Sequence, residues 1–549
     1  MRQDIQDHLS FLYGKAGAAG IAPRLERLMH ERFPQALSPA IRRRRLSLTE
    51  RDALLITYGD QVREPGATPL RTLSDFLAVH AAGAVSGVHL LPFYPYSSDD
   101  GFSVIDYYSV DPALGSWDDV CHLGHRFDLM FDAVFNHVSV KSEWFQRYLA
   151  GDPAYRDWFI TVEDDPDLSQ VVRPRALPLL TPFRTAAGEK KVWTTFSADQ
   201  VDLNLHEPDV LVALLDVLLF YVSQGPKFIR LDAIAYLWKQ IGTSSIHLPQ
   251  THRIIRLMRS MLDEVAAQVM LITETNVPHR DNVSYFGDGT NEAQLVYNFA
   301  LPPLVLHSVA TGSAEALSRW AAAPETPSQD VAFFNFLASH DGIGVNPVRG
   351  ILSEGEIDSL VERAAAHGGF VSYKHNADGS KSPYELNINY FDALSDPTSD
   401  DPLEVQIARF VVPHAVMLAM PGVPGIYFHS LFGSRGDRAG AEASGISRRV
   451  NRQKLSRAEL ESELADAASL RARVLHEVRA LLARRRTSSA FHPSGRHQVL
   501  ELDPRVFGVR RTSPDGKESV LCLHNVSAEP VETMRQVLGP FEARWLVGR

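Results

Sequence analysis

Eight short apolar runs punctuate the chain between residues 54 and 429, and longer amphipathic stretches separate them. They are LLITY (54–58), VHLLPF (88–93), LMFDAVF (129–135), FIRLD (228–232), MLITET (270–275), LVYNFAL (295–301), AFFNFLA (332–338) and PGIYFH (424–429). Near-continuous apolar runs rich in β-branched and aromatic residues are the pattern of strands covered on both faces, as in a parallel sheet flanked by helices. Eight strand–helix units predict a closed (β/α)8 barrel rather than an open sheet.

Two connections are too long for simple crossovers. About ninety residues separate the third and fourth runs, and about eighty-five the seventh and eighth. Connections beyond ~15 residues in a compact domain are usually functional insertions. We therefore expect a barrel over 51–485 with inserted subdomains at 138–206 and 343–396. The second contains the Gly/Ser/Lys-rich piece HGGFVSYKHNADGSKSPYE (367–385). Past residue 485, short runs such as VFGVRRT and SVLCLHNV predict a small C-terminal β domain, 486–549. Residues 1–50 read as a helical extension, and its basic run Arg42 to Arg45 as a solvated face.

Composition narrows the class. Hydrophobic residues at 45% and charged residues at 22% are globular values and exclude a disordered or fibrous chain. A net charge of −11 argues against a nucleic-acid partner, which needs a basic footprint. Cys121 and Cys522 alone cannot build a disulfide framework or a thiolate metal site. The opening MRQDIQDHLSFLYGK lacks the apolar core of a secretory signal, and no apolar run reaches the ~20 residues of a membrane span. A cytoplasmic enzyme with no membrane partner is the expectation, with no metal and no cofactor, since no cluster has ligand spacing.

Barrel enzymes place their chemistry at the C-terminal ends of the strands. Asp132, Asn136 and His137 stand at the third end, Arg230 and Asp232 at the fourth, Glu274 at the fifth, and His340 with Asp341 at the seventh. Retaining glycoside cleavage needs one carboxylate as nucleophile and a second as acid/base, ~5–5.5 Å apart. A neighbouring cation such as Arg230 would keep a nucleophile ionised, and a drier site would keep an acid protonated. A third carboxylate can favour a positively charged transition state. Spacing alone does not distribute these roles.

The motifs DAVFNH (132–137), RLDAIAYLW (230–238), LITETN (271–276) and FLASHD (336–341), in this order, resemble the α-amylase family, glycoside hydrolase family 13. The resemblance implies Asp232 as nucleophile, Glu274 as general acid/base and Asp341 as transition-state stabiliser. His137 and His340 would bind the glucosyl ring, and Arg230 would be the nucleophile's cation. Within the family the chain is similar to the sucrose phosphorylase group through LLPFYPYSSDDGFSVIDYYSVDPALGSWDDV (90–120), VWTTFSADQVDLN (192–204), LASHDGIGV (337–345), YELNINYFDAL (384–394) and PGVPGIYF (421–428). This implies a closed pocket for one glucosyl unit, walled by Asp99, Phe102, Phe196, Gln200 and Tyr236, with Arg448 paired to Asp99. Phosphate would then be a co-substrate, with Arg175 on the acceptor side and Lys374, His375 and Lys381 as further candidate cations; these lysines also read as solvated loop charges.

The acceptor region departs from sucrose phosphorylases. Where those carry Asp-Leu before a tyrosine and glutamine after it, this chain has Ser382-Pro383 before Tyr384 and Glu385 after it. Ahead stands YKHNADGSK (373–381), with more positive charge, which suits an anionic acceptor. SSDDGFSVIDYY (97–108), this loop and the N-terminal extension look most like glucosylglycerate phosphorylases, whose acceptor is D-glycerate. Phosphorylases for sucrose, sucrose 6'-phosphate or glucosylglycerol stay open. So does an α-glucosidase or transglucosidase sharing the covalent intermediate. A non-catalytic module would be expected to have lost a carboxylate.

Overall fold

The computed structural model describes residues 3–34, 47–323, 326–376 and 379–548. Eight parallel strands close into a barrel in sequential order: β1 (Leu54–Thr57), β2 (Gly87–Leu90), β3 (Asp128–Ala133), β4 (Phe228–Leu231), β5 (Met270–Thr273), β6 (Leu295–Tyr297), β7 (Ala332–Asn335) and β8 (Val423–Tyr427). β1 pairs with both β2 and β8, which completes the ring. The expected (β/α)8 architecture is therefore the fold of the chain.

The strands are shorter than the apolar runs that announce them. LMFDAVF outruns β3 by two residues and AFFNFLA outruns β7 by three. The overhanging Val134, Phe135, Phe336 and Leu337 are buried all the same, because the loops beyond the strands pack onto the barrel mouth. Those overhangs carry the polar residues of the site.

After β3, His137–Ser139 pairs antiparallel with Gln200–Asp202, and a small sheet (Thr161–Val162, Leu180–Thr185, Gly188–Trp193) folds around Val162, Val171, Leu179 and Trp193. After β7, the helix Glu354–Ala366 lies between the first strand, Ile343–Gly344, and the other two, Phe370–His375 and Lys381–Asn387, of a three-stranded antiparallel sheet. The chain ends in a four-stranded antiparallel sheet (Arg496–Val499, Val506–Thr512, Ser519–Asn525, Ala543–Val547). Two buried arginines tie it to the barrel. Arg511 donates to the carbonyls of Ala419 and His492 (both 2.9 Å), and Arg485 to those of Gly422 (3.2 Å) and Phe491 (3.3 Å).

The N-terminal extension is helical over Gln3–Arg32, with a break at Gly14, whose φ of 70° suits a residue without Cβ. The basic run Arg42 to Arg45 lies outside the described residues. Ile5, Leu9, Ile21, Leu25 and Met29 recur at helical spacing and are buried against the helices Pro208–Ser223 and Pro249–Val265. Arg32 pairs with Asp216 (3.0 Å), and the Tyr13 hydroxyl donates to the Leu205 carbonyl (2.7 Å). The extension is thus an extra layer on the barrel's flank, and Tyr13 beside its break also meets Trp238 in the loop after β4, ring centroids 6.4 Å apart. Leu9→Ala and Leu25→Ala are each expected to weaken its docking by about 2–5 kcal/mol. Hydrogen exchange would show this as faster exchange confined to the 3–32 amides. Unchanged exchange would mean that the buried stripe does not hold the helix.

Candidate active site

The barrel ladder continues one residue past the strands. The Asp232 amide donates to the Ala133 carbonyl (3.2 Å) and the Glu274 amide to the Leu231 carbonyl (3.1 Å), so both carboxylates start from fixed backbone. Ala233 then turns into the left-handed region (φ 46°, ψ 30°), uncommon for a residue with a Cβ. The turn aims its N–H at Glu274 Oε2 (3.0 Å).

Register supplies the cation. Arg230 on β4 lies opposite Asp132 on β3. Its guanidinium donates to Asp132 and, at 2.9 Å, to Asp232 Oδ1. His89 on β2 closes on the other oxygen of Asp132 at 2.6 Å. Beyond β3, buried Lys239 donates to Asn136 Oδ1 (2.5 Å) and pairs with Asp202 (2.7 Å). Asn136 in turn donates to His137 Nδ1 (3.2 Å), which leaves the His137 Nε2–H for the Phe102 carbonyl (2.9 Å). Burial keeps His137 neutral by pushing its pKa down.

The third carboxylate, Asp341, is met by two arginines. Arg448 reaches Oδ1 at 2.8 Å and Arg452 reaches it at 3.2 Å. Arg452 also donates to the His340 carbonyl (2.9 Å) and pairs with Asp99 (3.3 Å) and Asp100 (3.0 Å). Phe102 stacks on the His340 ring, centroids 4.8 Å apart and planes 7° apart.

These contacts separate the carboxylates electrostatically. Burial lifts Asp232 well above the ordinary range, with Arg230 opposing and the charges of Glu274, Asp132 and Asp341 adding to the rise. Glu274 is likewise lifted by burial and by Asp341, against Arg230 and the Ala233 amide. The two carboxyls are thus raised together, while the Arg230 N–H on Asp232 favours its ionised form. Asp341 behaves oppositely: burial pushes it up, but Arg448, His340 and Arg452 outweigh burial and hold it below the usual carboxylate range.

Of the residues singled out from sequence, Asp99, Phe102, His137, Arg175, Phe196, Gln200, Asp232, Tyr236, Glu274, His340, Asp341, Tyr384 and Arg448 line one cavity of about 60 Å3. Arg230 stands behind Asp232. Glu385 lines an adjoining outer cleft of about 290 Å3. Lys374 lines neither: Ser372 and Tyr373 face the cleft across an irregular step in the strand pairing, and Lys374 takes the other face, bonded to Asn346 Oδ1 (2.9 Å). The expected Arg448–Asp99 pairing is also corrected. Both Glu385 oxygens (2.9 and 2.7 Å) and Asp341 take the Arg448 guanidinium, while Asp99 pairs with Arg175 (3.1 Å) and Arg452. Arg452 itself was missed, although it lies four residues beyond Arg448 in SRRVNR. Among the described residues no group of three or more His, Cys, Asp or Glu could hold a metal, and no helix is long and apolar enough to cross a membrane.

A carboxylate-lined pocket at the C-terminal mouth of a (β/α)8 barrel is the class of site that this fold defines. The alpha-amylase family (Alpha amylase, catalytic domain) matches residues 81–342. Glucosylglycerate phosphorylase of Allomeiothermus silvanus is 50% identical over 100% of this chain and 99% of its own length. The Escherichia coli enzyme of the same name is 48% identical over 96% and 93%. Sucrose phosphorylase of Agrobacterium vitis is 32% identical over 72% of this chain and 81% of its own. In structure, sucrose 6F-phosphate phosphorylase from Thermoanaerobacter thermosaccharolyticum superposes with a TM-score of 0.75 at 25% identity, over 87% of this chain and 94% of that one. The chain belongs to the alpha-amylase family, in the group that holds these phosphorylases.

Breaking a buried charge network leaves an uncompensated charge. Arg452→Met should therefore lower kcat/KM for α-glucosyl fluoride by roughly 100-fold or more, while Arg449→Met, which loses only a half-exposed pair to Asp100, stays within about threefold. Equal losses in the two variants would refute the central place given to Arg452.

Proposed function

We propose that the protein catalyses the reversible phosphorolysis of 2-O-α-D-glucosylglycerate to α-D-glucose 1-phosphate and D-glycerate, with retention, through a covalent β-glucosyl-enzyme. What carries this reading is the convergence of Asp232, Glu274 and Asp341 on one cavity whose outer wall presents arginines. Half of the residues of this chain, over its whole length, are those of a glucosylglycerate phosphorylase.

In the first half-reaction Glu274 gives its proton to the glycosidic oxygen, the C1–O bond breaks, and glycerate leaves as Asp232 bonds to C1. The ionised Asp341 stabilises positive charge at the ring while that bond changes. In the second, a phosphate oxygen displaces Asp232 from C1 and its proton passes to Glu274, restoring the starting state. His137, His340, Gln200 and Asp99 hold the sugar hydroxyls, and Phe102, Phe196 and Tyr236 supply the apolar walls. No metal or organic cofactor enters this scheme, and inorganic phosphate is a co-substrate. The polar, carboxylate-rich pocket suits a sugar, and the N-terminal and C-terminal additions lie outside the chemistry.

The protein should release phosphate from α-glucose 1-phosphate fastest with D-glycerate, ahead of fructose, fructose 6-phosphate and glycerol. Fast fructose with inert glycerate would overturn the acceptor assignment. Glucose release from a 2-O-glucoside that ignores added phosphate would instead show a hydrolase.

A pH profile tests the acid. The proton on Glu274 is required for glycerate to depart, and its carboxyl is raised, chiefly by burial. Activity should therefore persist above the ordinary glutamate range and fall as pH rises through the raised value. Glu274→Gln should be nearly inactive on the glucoside yet form the covalent enzyme from α-glucosyl fluoride, whose leaving group needs no proton, with no alkaline fall. An alkaline fall retained in that variant would assign the limb to another group.

A further inference from the structure

The N-terminal extension touches no reacting atom, yet the break in its helix is joined to the wall of the inner cavity. The break falls at Gly14, and Tyr13 stands beside it. A Cβ on Gly17 would lie 2.7 Å from the Tyr13 Cβ, closer than two such carbons can stay, so glycine there leaves the tyrosine its place. The side chain reaches two barrel segments. Its hydroxyl donates to the Leu205 carbonyl (2.7 Å), and its ring meets Trp238, centroids 6.4 Å apart and planes at 55°. Neither contact falls on a strand. Leu205 lies in the turn between Gln200–Asp202 and the helix Pro208–Ser223, and Trp238 lies past the 3-10 turn Ile234–Tyr236 that follows β4.

Side chains sew these two segments together. The His206 ring packs on Trp238, centroids 4.2 Å apart, and its Nε2 bonds the Lys239 carbonyl (2.8 Å). Lys239 Nζ pairs with Asp202 (2.7 Å) and donates to Asn136 Oδ1 (2.5 Å). Asp202 lies opposite His137 in the antiparallel ribbon. Both segments also carry cavity residues: Gln200, whose amide meets His137 Nε2 at 3.2 Å, on one and Tyr236 on the other. A chain of contacts therefore runs from Tyr13 to the residues that line the cavity. Loop segments without a ladder depend on such contacts for their order.

Resting on the reading of the inner cavity as the glucosyl site, we propose that Tyr13 is a positioning residue: it clamps the seam between Leu205 and Trp238 and so holds His137, Gln200 and Tyr236 in place for the sugar ring. The nucleophile does not share this dependence. The Asp232 amide is bonded to the Ala133 carbonyl and stays fixed when the seam loosens. A loosened wall must be ordered again each time a glucosyl ring binds, and that ordering costs conformational entropy. The loss falls on capture of the sugar. The choice among acceptors is spared, because the outer cleft is walled by other residues, among them Ser372, Tyr373 and Glu385.

The test uses the full chain and α-glucosyl fluoride, with rates taken per folded molecule from circular dichroism. Turnover of the fluoride with saturating phosphate reads sugar capture, and the phosphate-to-water product ratio reads the acceptor side. Tyr13→Phe should lose roughly fivefold in kcat/KM, the net worth of one hydrogen bond, with the loss residing in KM. Tyr13→Leu, which gives up the ring as well, should lose roughly tenfold or more. Gly17→Ala keeps the tyrosine but displaces it, and should lose activity although alanine is the better helix former. Arg24→Gln surrenders only an exposed pair to Asp209 from the same helix and should stay within about twofold. The product ratio should stay within about twofold throughout. Wild-type kcat/KM in both Tyr13 variants would overturn the proposal. So would a loss confined to kcat, a shifted product ratio, or an equal loss in Arg24→Gln. If Tyr13→Leu does not fold, Tyr13→Phe and Gly17→Ala decide the matter. A wild-type protein inert toward α-glucosyl fluoride would instead reject the glucosyl reading of the cavity, before any variant is made.

Discussion

Four carboxylates, Asp99, Asp232, Glu274 and Asp341, line one pocket with a fifth, Asp132, buried behind Arg230, and the cluster is tolerated only because cations are packed among them. Desolvating an unpaired carboxylate is severe enough that it would take up a proton instead. The pairing is therefore also the chemistry. Asp132 receives both Arg230 and His89, Asp99 receives Arg175 and Arg452, and Asp341 receives Arg448 and Arg452; these stay ionised below the usual range. Asp232 and Glu274 have only part of one guanidinium and a backbone amide between them. The shortage of cation at this pair is why burial raises both carboxyls while the other three are lowered.

Parallel register makes half of that arrangement automatic. A closed barrel sets Arg230 opposite Asp132, and residues two apart on one strand share a face, so Asp232 emerges beside the same guanidinium. This half was legible in the sequence, because apolar runs mark strands and polar residues at their ends stand out against them. The eight strands and the polar residues at their ends could be located this way, whereas the pocket walls Asp99, Phe102, Phe196, Gln200 and Tyr236 were implied by the family resemblance.

The other half depends on loops. Arg448 and Arg452 lie in a short turn of 3-10 helix, Ser447–Asn451, and the residue just beyond it. There no periodicity distinguishes one arginine from its neighbours, and nothing in SRRVNR says that Arg452 rather than Arg448 meets Asp99. Lys374 failed for a related reason. A lysine-rich loop signals charge, but the side of the strand on which a lysine emerges depends on an irregular step at Ser372–Tyr373 that composition does not reveal.

Where the loop charges do point inward, they couple the two functions of the site. Glu385 belongs to the insertion that borders the acceptor cleft, and it grips Arg448 with both oxygens. The third nitrogen of that arginine rests on Asp341. One rigid guanidinium thus joins the insertion bordering the outer cleft to Asp341 in the inner cavity. A shift of the insertion that moved Glu385 would be felt at Asp341 through a single side chain. The outer cleft and the inner cavity are for this reason not independent modules on a shared barrel. Both sides of the mouth draw on one set of arginines, Arg448 and Arg452 on Asp341 and Arg175 with Arg452 on Asp99.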